Sequence, residues 1–280
     1  MRIVLSRKGF DSTYGGYPSP ILPDGTLLSL PIPSPGDRIH YAELQSRHGT
    51  YLDLMQQLKP SINIPTTGRH LLDKSIECHL DPDLISETIP RLDPWRPLFG
   101  QINQAQSHLE NQHIGPGDVF LFFGWFRQAE WQGKQLVFTP GAADLHIIFG
   151  YLQIDRLLHP RDDQVEPWMQ YHPHLINPAR CNQKSNCLYI ARQHLSWDET
   201  RPGAACLKFT DERVLTKSGQ TRSVWILPLE FQSLSISYHS AKSWREDGSF
   251  HSARIGQEFV IEDNVLAERW AQQIIAPDHE

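Results

Sequence analysis

Three runs of apolar and aromatic residues in the middle of the chain limit its fold more than any other feature. They cover residues 119–126, 135–138 and 145–152. Runs of this length and composition are typical of buried β-strands, and they are far too short to cross a membrane. Shorter apolar runs predict further strands at residues 2–5, 186–191 and 223–227.

Three other segments carry the periodicity of a helix. Apolar residues recur at helical spacing in residues 41–58, and the pattern stops at a Lys-Pro pair. A second helix is predicted over residues 101–112, closed off by the Gly-Pro-Gly that follows, and a third over residues 264–274. No stretch has the polar composition of a linker. We therefore predict one domain over residues 1–280, with an α+β fold that has a mainly β core and peripheral helices.

The order of these elements predicts a more specific architecture. A helix is followed by Gly117-Asp118, an apolar strand and later a strand that ends in Phe149-Gly150-Tyr151. This order resembles the PUA-like barrels, which include the ASCH and EVE modules. It predicts a PUA-like barrel element over about residues 100–230. A small, bent barrel has a cleft in which a flipped or free base can be stacked and read by its edges.

The composition narrows the function. With 39% hydrophobic and 21% charged residues, the chain has the makeup of a soluble globular protein. Its formal net charge of −6 argues against a wide duplex-DNA footprint but leaves room for one nucleotide or a short single strand. The four cysteines are too scattered for a disulfide framework, and the first residues lack a signal-peptide pattern. We therefore expect a cytoplasmic protein that does not associate with membranes.

Several enzyme classes lack their signatures in this sequence. It contains no P-loop, no dinucleotide-binding Gly-rich fingerprint, no His-Glu-x-x-His helix and no Gly-x-Ser-x-Gly elbow. The Pro-Cys-x-x-Cys element of the zinc deaminases is also missing. The sequence therefore leaves open both which cofactor the protein uses, if any, and whether it is an enzyme.

The segment from residue 8 to residue 20 follows a predicted strand and combines prolines, glycines and polar side chains. Its adjacent glycines allow positive φ angles or a close approach of the backbone to a bound group. The segment is either a ligand-binding loop or an ordinary Gly/Pro turn between strands. In a binding loop, Asp11 is a candidate general base. The candidate ligand contacts of this loop are Lys8, Ser12, Tyr14, Gly15 and Gly16.

His79, Asp81 and Asp83 alternate along the chain, so that in an extended conformation their side chains share one face. Such a set could bind a divalent ion or supply a general base. The alternative is a turn, because Asp-Pro-Asp is ordinary turn and helix-cap chemistry, and Asp81 could also bond a sugar hydroxyl. We take His79 and Asp81, together with Asp11, as the candidate catalytic residues.

Further side chains are candidates for contacts with a base or a phosphate. Gln101, Gln104 and His108 fall on one stripe of the second predicted helix and could read a base or ribose, although amides without a role are equally common there. Trp125 and Tyr151, at predicted strand ends, could stack a base, although aromatic residues in strands are more often core. The remaining candidates are Arg127, His146, Gln257 and Glu258, with a core histidine and a buried Arg–Glu pair as the alternatives.

His172 and His174 precede Cys181 and Cys187, and these four side chains could together hold zinc. Their spacing matches no zinc signature, so we assign no metal ligand from the sequence. We expect the two histidines to contact an anionic ligand or to shape a loop.

Six segments spread over nearly the full length resemble the nucleotide modification associated domain family of the third type. They are Asp11-Ser-Thr-Tyr-Gly-Gly-Tyr-Pro-Ser-Pro-Ile21, His79-Leu-Asp-Pro-Asp-Leu84, Trp95-Arg-Pro-Leu-Phe-Gly-Gln101, Ala105-Gln-Ser-His-Leu109, Gly117-Asp-Val-Phe-Leu-Phe-Phe-Gly-Trp-Phe-Arg127 and Gly256-Gln-Glu-Phe-Val260. One departure is that Ile255 separates Arg254 from Gly256, where the resemblance leads us to expect an arginine directly before the glycine.

The resemblance implies an association with the modification of nucleotides in bacterial and phage DNA, without a catalytic assignment. We therefore predict a protein of a DNA-modification or phage-defence system that binds or modifies a base between the N-terminal loop and the β core. A nucleotide or short nucleic acid is the expected partner, with Gln101, Asp11 and Ser12 reading the base and Lys8 or Arg127 holding phosphate. The alternatives are a non-enzymatic reader of modified nucleic acid and a structural protein that binds a partner.

Overall fold

The computed structural model describes residues 1–65, 67–254 and 256–276. Numbered in chain order, its strands are β1 Ile3–Arg7, β2 Ser19–Ile21, β3 Gln45–Ser46, β4 Gly49–Thr50, β5 Ser61–Ile64, β6 Gly68–Leu71, β7 Leu98–Gln101, β8 Val119–Gln132, β9 Gln135–Phe138, β10 Leu145–Leu158, β11 Cys187–Ala191, β12 His194–Leu195, β13 Asp198–Pro202, β14 Ala204–Cys206, β15 Val224–Trp225, β16 Phe250–His251 and β17 Glu258–Ile261. The α-helices are α1 Tyr51–Leu58, α2 Asn103–Asn111, α3 Pro173–Ile176, α4 Pro178–Cys181 and α5 Val265–Ile275. Strands hold 34% of the residues and helices 19%, which confirms the predicted mainly β character.

Nine of these strands form one mixed sheet. Its main path runs β17-β1-β8-β10-β11-β7, and β2, β9 and β14 pair with the two long strands in its middle. β1 and β2 run parallel to β8, whereas the other pairings are antiparallel. Because β1 and β17 come from opposite ends of the chain, the sheet extends beyond the region predicted for the PUA-like element. Within the described ranges no sheet closes into a barrel, so that element stays a prediction.

β8 and β10 are the longest strands, with 14 residues each, and they pair along much of their length. The prediction ended them near residues 126 and 152, but they continue to Gln132 and Leu158. The expectation that Trp125 and Tyr151 lie at strand ends is therefore wrong, since both lie well inside strands. In the register of this pair, Trp125 stands directly opposite His146.

The side chains of the sheet alternate between two cores, as the two-residue period of a strand requires. Along β1, Ile3 and Leu5 pack on one side and Val4 on the other. The helix α5 covers the first side with Ala267, Ala271 and Ile274. Burial on both faces explains why the central strands read as continuous apolar runs in the sequence.

The first predicted helix is correct only in its second half. Residues 41–50 form turns and the β3–β4 hairpin, and α1 begins at Tyr51. The start is set by a capping box, in which the Thr50 side chain accepts from the backbone N–H of Asp53 and the Asp53 carboxylate accepts from that of Thr50. Of the helices in the described ranges, none is long and apolar enough to cross a membrane.

The helices predicted at residues 101–112 and 264–274 are confirmed with small shifts at their ends. α2 begins at Asn103, so Gln101 belongs to β7 and does not share a helix stripe with Gln104 and His108. The prediction of one stripe for these three residues is therefore wrong.

The N-terminal segment has a core of its own that rests on the sheet. Phe10, Tyr41 and Met55 are buried in it together with Leu136 of β9. At the far end of this segment, the backbones of Asp83 and Leu98 exchange two hydrogen bonds of 2.9 and 3.1 Å. These bonds hold the histidine- and aspartate-rich segment against β7.

Candidate functional site

A cavity of about 650 Å³ opens where β1, β8 and β10 meet the loops before β15 and after β16. We call it the arginine cavity. Its charged and polar lining residues are Arg7, Asp11, Ser12, Thr13, Trp125, His146, Thr221, Arg222, Ser223, His251, Ser252 and Arg254. Three arginines face one carboxylate here, so the cavity is positively charged although the whole chain carries a net charge of −6.

Two of the arginines are held in place by the protein itself. The Nη2 of Arg7 donates to the carbonyl of Ala253 at 2.7 Å, and its guanidinium lies over the ring of Phe259. The Cζ of Arg222 lies 3.9 Å from the ring centroid of Trp125, and its Nη2 donates to Ser12 Oγ at 2.8 Å. Burial lowers the pKa of both guanidinium groups, but arginine remains protonated in proteins. The cavity therefore holds fixed positive charge.

Unused hydrogen-bond donors surround this charge. Among the described residues, Trp125 Nε1, Arg7 Nε and Ser252 Oγ are buried without a hydrogen-bond partner. Buried polar groups are normally paired, so these three donors are available to an acceptor-rich group in the cavity.

His146 contributes a neutral imidazole to the wall. The Trp225 indole Nε1 donates to His146 Nδ1 at 3.0 Å, which leaves the imidazole proton on Nε2. Burial, together with the charges of Arg7 and Arg222, lowers the pKa of His146 well below its usual value. At neutral pH this side chain is therefore an uncharged hydrogen-bond donor.

The N-terminal loop reaches the cavity through Asp11, Ser12 and Thr13. Asp11 Oδ1 accepts from the backbone N–H groups of Thr13 and Tyr14 at 2.7 Å each, so the loop is braced by its own aspartate. Gly15 and its neighbour Gly16 have φ of +80° and +81°, as the sequence predicted. They do not line the cavity; Gly15 exchanges backbone hydrogen bonds with Asn63 of β5 instead. Tyr14 is exposed beside them.

Lys8, Gln101 and Glu258, predicted as ligand contacts, lie together in a buried network. Lys8 Nζ and Gln101 Nε2 donate to Glu258 Oε1 at 2.8 and 2.7 Å, and Lys8 lies over the ring of Phe99. Arg127 pairs with Asp144, its Nη2 donating to Oδ1 at 2.7 Å. Lys8 and Arg127, the predicted phosphate holders, are thus each paired with a carboxylate.

The remaining candidates from the helix and strands lie elsewhere. Tyr151 is fully buried, with its hydroxyl donating to the carbonyl of Pro202, so its ring offers no face to a base. His108 Nε2 is 3.0 Å from Ser237 Oγ, and burial lowers its pKa. Gln104 and Gln257 are exposed outside the cavity.

A second group, which we call the histidine–aspartate cluster, consists of Asp37, His79, Asp81, His172 and His174. His79 Nε2 lies 3.6 Å and His174 Nε2 3.9 Å from Asp81 Oδ2. His172 Nε2 lies 3.3 Å from the other oxygen of Asp81, Oδ1, which also accepts from the backbone N–H of Gly100 at 2.8 Å. The sequence predicted the segments but gave no sign that they meet.

Hydrogen bonds to residues around the cluster fix the orientation of two of its histidine rings. His79 Nδ1 donates to Asp37 Oδ2 at 2.7 Å, and His174 Nδ1 donates to Asn186 Oδ1 at 2.7 Å. Burial lowers the pKa of His174 to about 3. For Asp81, burial would raise the pKa, but His172, which faces Oδ1, and the charge that the nearby histidines carry when protonated outweigh it and hold the pKa well below its usual range.

Other side chains that the sequence grouped with these histidines have partners or surroundings of their own. The Asp83 carboxylate pairs with Arg91, whose Nη1 donates at 2.7 Å. Cys187 is buried in the core on the Val4 side of the sheet, and Cys181 lies at the end of α4. Neither cysteine belongs to a metal-binding group with the two histidines in the part of the chain that the structure describes.

Asp81 also lines a second cavity, of about 500 Å³. Its walls are mainly apolar, from residues such as Leu27, Leu84 and Phe149, with Arg47 and Lys208 among the polar ones. We call it the apolar cavity. It shares no lining residue with the arginine cavity.

The sequence reasoning missed several residues of both sites. Arg7, Arg222 and His251 carry no local motif, and only the sheet pairing and the loops around β15 and β16 bring them together. Arg254, singled out because it did not align with an expected arginine, lines the arginine cavity. Ile255 lies outside the described residues. Asp37 and Asn186 lie far from the histidines in sequence, so spacing could not reveal them.

The chain was compared with protein-family models, curated proteins and solved structures. The family model described as nucleotide modification associated domain 3 matches residues 2–262, nearly the whole chain. Neither a curated protein nor a solved structure matches the chain.

Proposed function

Since the chain belongs to the nucleotide modification associated domain 3 family, we propose that it binds a nucleotide, free or within a short single strand, in the arginine cavity. The observation that carries this proposal is the combination of three arginines, a tryptophan and unpaired donors in one cavity of about 650 Å³. A cavity of this size is in the usual range for a small ligand.

The arginines account for the phosphate. A guanidinium group presents several N–H donors in a fixed plane that matches phosphate oxygens, and it does so best where water is partly excluded. Arg222 and Arg254 line the cavity, and Arg7 adds its charge from the wall. A net positive cavity in an acidic protein also disfavours long nucleic acids relative to a single nucleotide or short strand.

Trp125 and Arg222 account for the base. Bases stack on aromatic rings and also on the plane of an arginine guanidinium. Because Arg222 already covers one face of Trp125, a base placed against the guanidinium would extend the same stack. Ser12, His146 and the Trp125 N–H are then available for the edges of the base or the sugar.

We propose that the chain acts as one domain in a bacterial or phage DNA-modification system in the cytoplasm, which its family and four free cysteines support. We also propose a PUA-like element over about residues 100–230, which rests on the element order alone. Whether the bound base is read or chemically changed depends on Asp11, which is discussed below.

Calorimetric titration of the full chain with deoxynucleoside 5′-monophosphates, an eight-nucleotide single strand and the phosphate-free nucleosides tests the proposal. We expect binding of the phosphate-bearing ligands and much weaker binding of the nucleosides. Trp125→Ala should weaken binding by about 2- to 30-fold, the range of one cation–π contact, because it removes the ring that holds the Arg222 guanidinium in the stack. Arg222→Gln should weaken it by at least about 10-fold, because it removes both a charge and part of the stack.

Two matched variants outside the cavity test whether a loss of binding is specific to the cavity residues. Trp131→Ala removes a tryptophan near the far end of β8, and Arg161→Gln removes an exposed arginine outside the cavity. Both should bind like the wild type. Absence of binding by every ligand, or equal affinities for the cavity and control variants, would overturn the proposal.

A further inference from the structure

We propose that His79 Nε2, Asp81 Oδ2 and His174 Nε2 together bind one divalent transition-metal ion. In the described residues these three side chains are the group whose potential ligand atoms all lie within 4.8 Å of one another. The proposal does not rest on the arginine cavity or on nucleotide binding.

The first argument is the protonation of the two imidazoles. Asn186 Nδ2 donates to the carbonyl of His174 at 2.8 Å, which turns its Oδ1 toward the ring as an acceptor. His174 Nδ1 must therefore carry a proton, and so must His79 Nδ1, which faces the carboxylate of Asp37. In the neutral rings both Nε2 atoms are then bare lone pairs.

These lone pairs converge on a third acceptor. They face Asp81 Oδ2 at 3.6 and 3.9 Å, distances too long for hydrogen bonds. The hydrogen bonds that fix these side chains go to their other polar atoms, His79 Nδ1, His174 Nδ1 and Asp81 Oδ1. Three acceptors that meet in a buried place repel each other unless a cation lies between them.

The spacing fits an ion. Ligand atoms about 2.1 Å from a metal, at angles between 90° and 109°, are about 3.0–3.4 Å apart. The two separations from Asp81 Oδ2, 3.6 and 3.9 Å, exceed this range by only a few tenths of an ångström. The third separation, between the two histidine nitrogens, is within the 4.8 Å that spans the whole group.

The supports of the ligands match those of known metal centres, where a ligating histidine donates its other N–H to a carboxylate or carbonyl oxygen. Asp37 plays this part for His79 and is itself held by Asn177, whose Nδ2 donates at 2.6 Å, and by Arg180. His172 is a positioning residue rather than a ligand. Its Nδ1 accepts from the backbone N–H of His174, so its Nε2–H faces Asp81 Oδ1 and leaves Oδ2 free.

Gly100 contacts both Asp81 and His174. Its N–H donates to Asp81 Oδ1, and a Cβ at this position would lie 2.4 Å from ring atoms of His174. Only glycine lets the strand β7 approach the histidine this closely. The close approach gives a physical reason for the Phe-Gly-Gln sequence that ends β7.

The donor set identifies the class of ion. Two imidazole nitrogens and one carboxylate favour Zn²⁺, Fe²⁺, Co²⁺ or Mn²⁺, whereas Mg²⁺ and Ca²⁺ prefer oxygen ligands. Three protein ligands leave coordination positions open, which is the pattern of catalytic rather than structural sites. Because Asp81 lines the apolar cavity, a molecule in that cavity would lie beside the ion.

The test uses the untagged full-length chain after treatment with a chelator, titrated with Co²⁺ and Zn²⁺. We expect one equivalent of either ion to bind, with a Co²⁺ visible spectrum of nitrogen and oxygen ligands and a higher Tm. An intense thiolate charge-transfer band would place the ion on the cysteines and overturn the proposal. So would absence of binding.

Asp81→Asn separates a metal ligand from a structural carboxylate. Its Oδ1 can still accept from Gly100, while its new Nδ2–H₂ would donate to the two Nε2 lone pairs. We therefore expect metal binding to fall by at least about 100-fold while the metal-free Tm stays equal or rises. If Asp81 served only to pair with protonated histidines, this variant would lower the Tm and the wild type would bind no ion.

The matched control is Asp83→Asn, in the same segment but paired with Arg91, which should keep metal binding. Wild-type affinity in Asp81→Asn would also contradict the assignment.

Discussion

His146 and Trp125 stand directly opposite each other on β10 and β8, and both side chains line the arginine cavity. The sheet register brings the two residues together. Neither has a neighbour in sequence that marks it as functional. It places an uncharged imidazole donor next to an indole whose own N–H is unpaired in the described structure. Arg222 then covers the indole and connects it to the N-terminal loop through Ser12.

Asp11→Asn distinguishes a base-modifying enzyme from a reader. The amide oxygen can still brace the loop through the N–H groups of Thr13 and Tyr14, so the cavity should keep its shape. Removing a negative charge near Arg7 and Arg222 should raise the affinity for a nucleotide by up to a few-fold. If Asp11 is a general base, turnover of the bound nucleotide should fall by about 10²- to 10⁴-fold.

Mass spectrometry of the nucleotide after incubation measures this turnover, and calorimetry measures the affinity. A wild-type protein that binds without changing the nucleotide under any ion condition would favour the reader. Unchanged turnover in Asp11→Asn would remove Asp11 as the base.

Gly15→Ala should be much more destabilising than Gly25→Ala, although both glycines have nearly the same φ, +80° and +79°. The left-handed conformation costs each alanine about 1–2 kcal/mol. At Gly15 the new Cβ would also lie 2.2 Å from the ring of buried Phe10, whereas nothing lies within 4 Å at Gly25. Chemical denaturation of both variants measures the difference. Equal losses of unfolding free energy would show that Phe10 moves aside without cost.

The pair of Lys8 and Glu258 predicts a non-additive effect on stability. Glu258 is 1% exposed, so Glu258→Gln leaves the Lys8 ammonium without its carboxylate in a buried place. Removing one partner of a buried pair typically costs about 3–5 kcal/mol. The double variant Lys8→Met with Glu258→Gln should recover much of this loss.

The matched control is the pair of Arg127 and Asp144, each about one third exposed. Breaking it should cost only about 0–1 kcal/mol. Denaturation curves of Lys8→Met, Glu258→Gln, their double variant and Asp144→Asn check both statements. A loss for Glu258→Gln as small as that for Asp144→Asn would show that water reaches Lys8.

The sequence predicted those parts of the fold that depend on local pattern. The apolar runs predicted β8 and β10, because residues buried on both faces of a sheet leave a continuous signal. The false start of α1 arose because Tyr41 and Leu44 are buried in the N-terminal core without being helical. Tertiary packing there produced an apolar spacing that imitates a helix.

The candidate sites were predictable only in fragments. Asp11, Ser12, His79 and Asp81 lie in loops with distinctive local chemistry, which the sequence shows. Their partners come from distant segments, as when Asp37 meets His79 across 42 positions of the chain. Such meetings follow from sheet order and loop packing, which spacing in a single sequence does not encode.

His146 predicts how stability depends on pH. Burial and the charges of Arg7 and Arg222 hold its folded pKa well below 6.5, its ordinary value, and Trp225 donates to its Nδ1. Below pH 6.5 the unfolded state therefore binds a proton that the folded state does not. The free energy of unfolding should thus fall as the pH falls, by up to about 1.4 kcal/mol per pH unit from this residue.

The variant His146→Asn tests this dependence. Its side chain keeps an acceptor for Trp225 but does not titrate, so its unfolding free energy should fall less steeply between pH 6.5 and 5. Denaturation curves of both proteins at half-unit pH steps measure the two slopes. Because the other histidines titrate equally in both proteins, identical slopes would mean that His146 becomes protonated in the folded state.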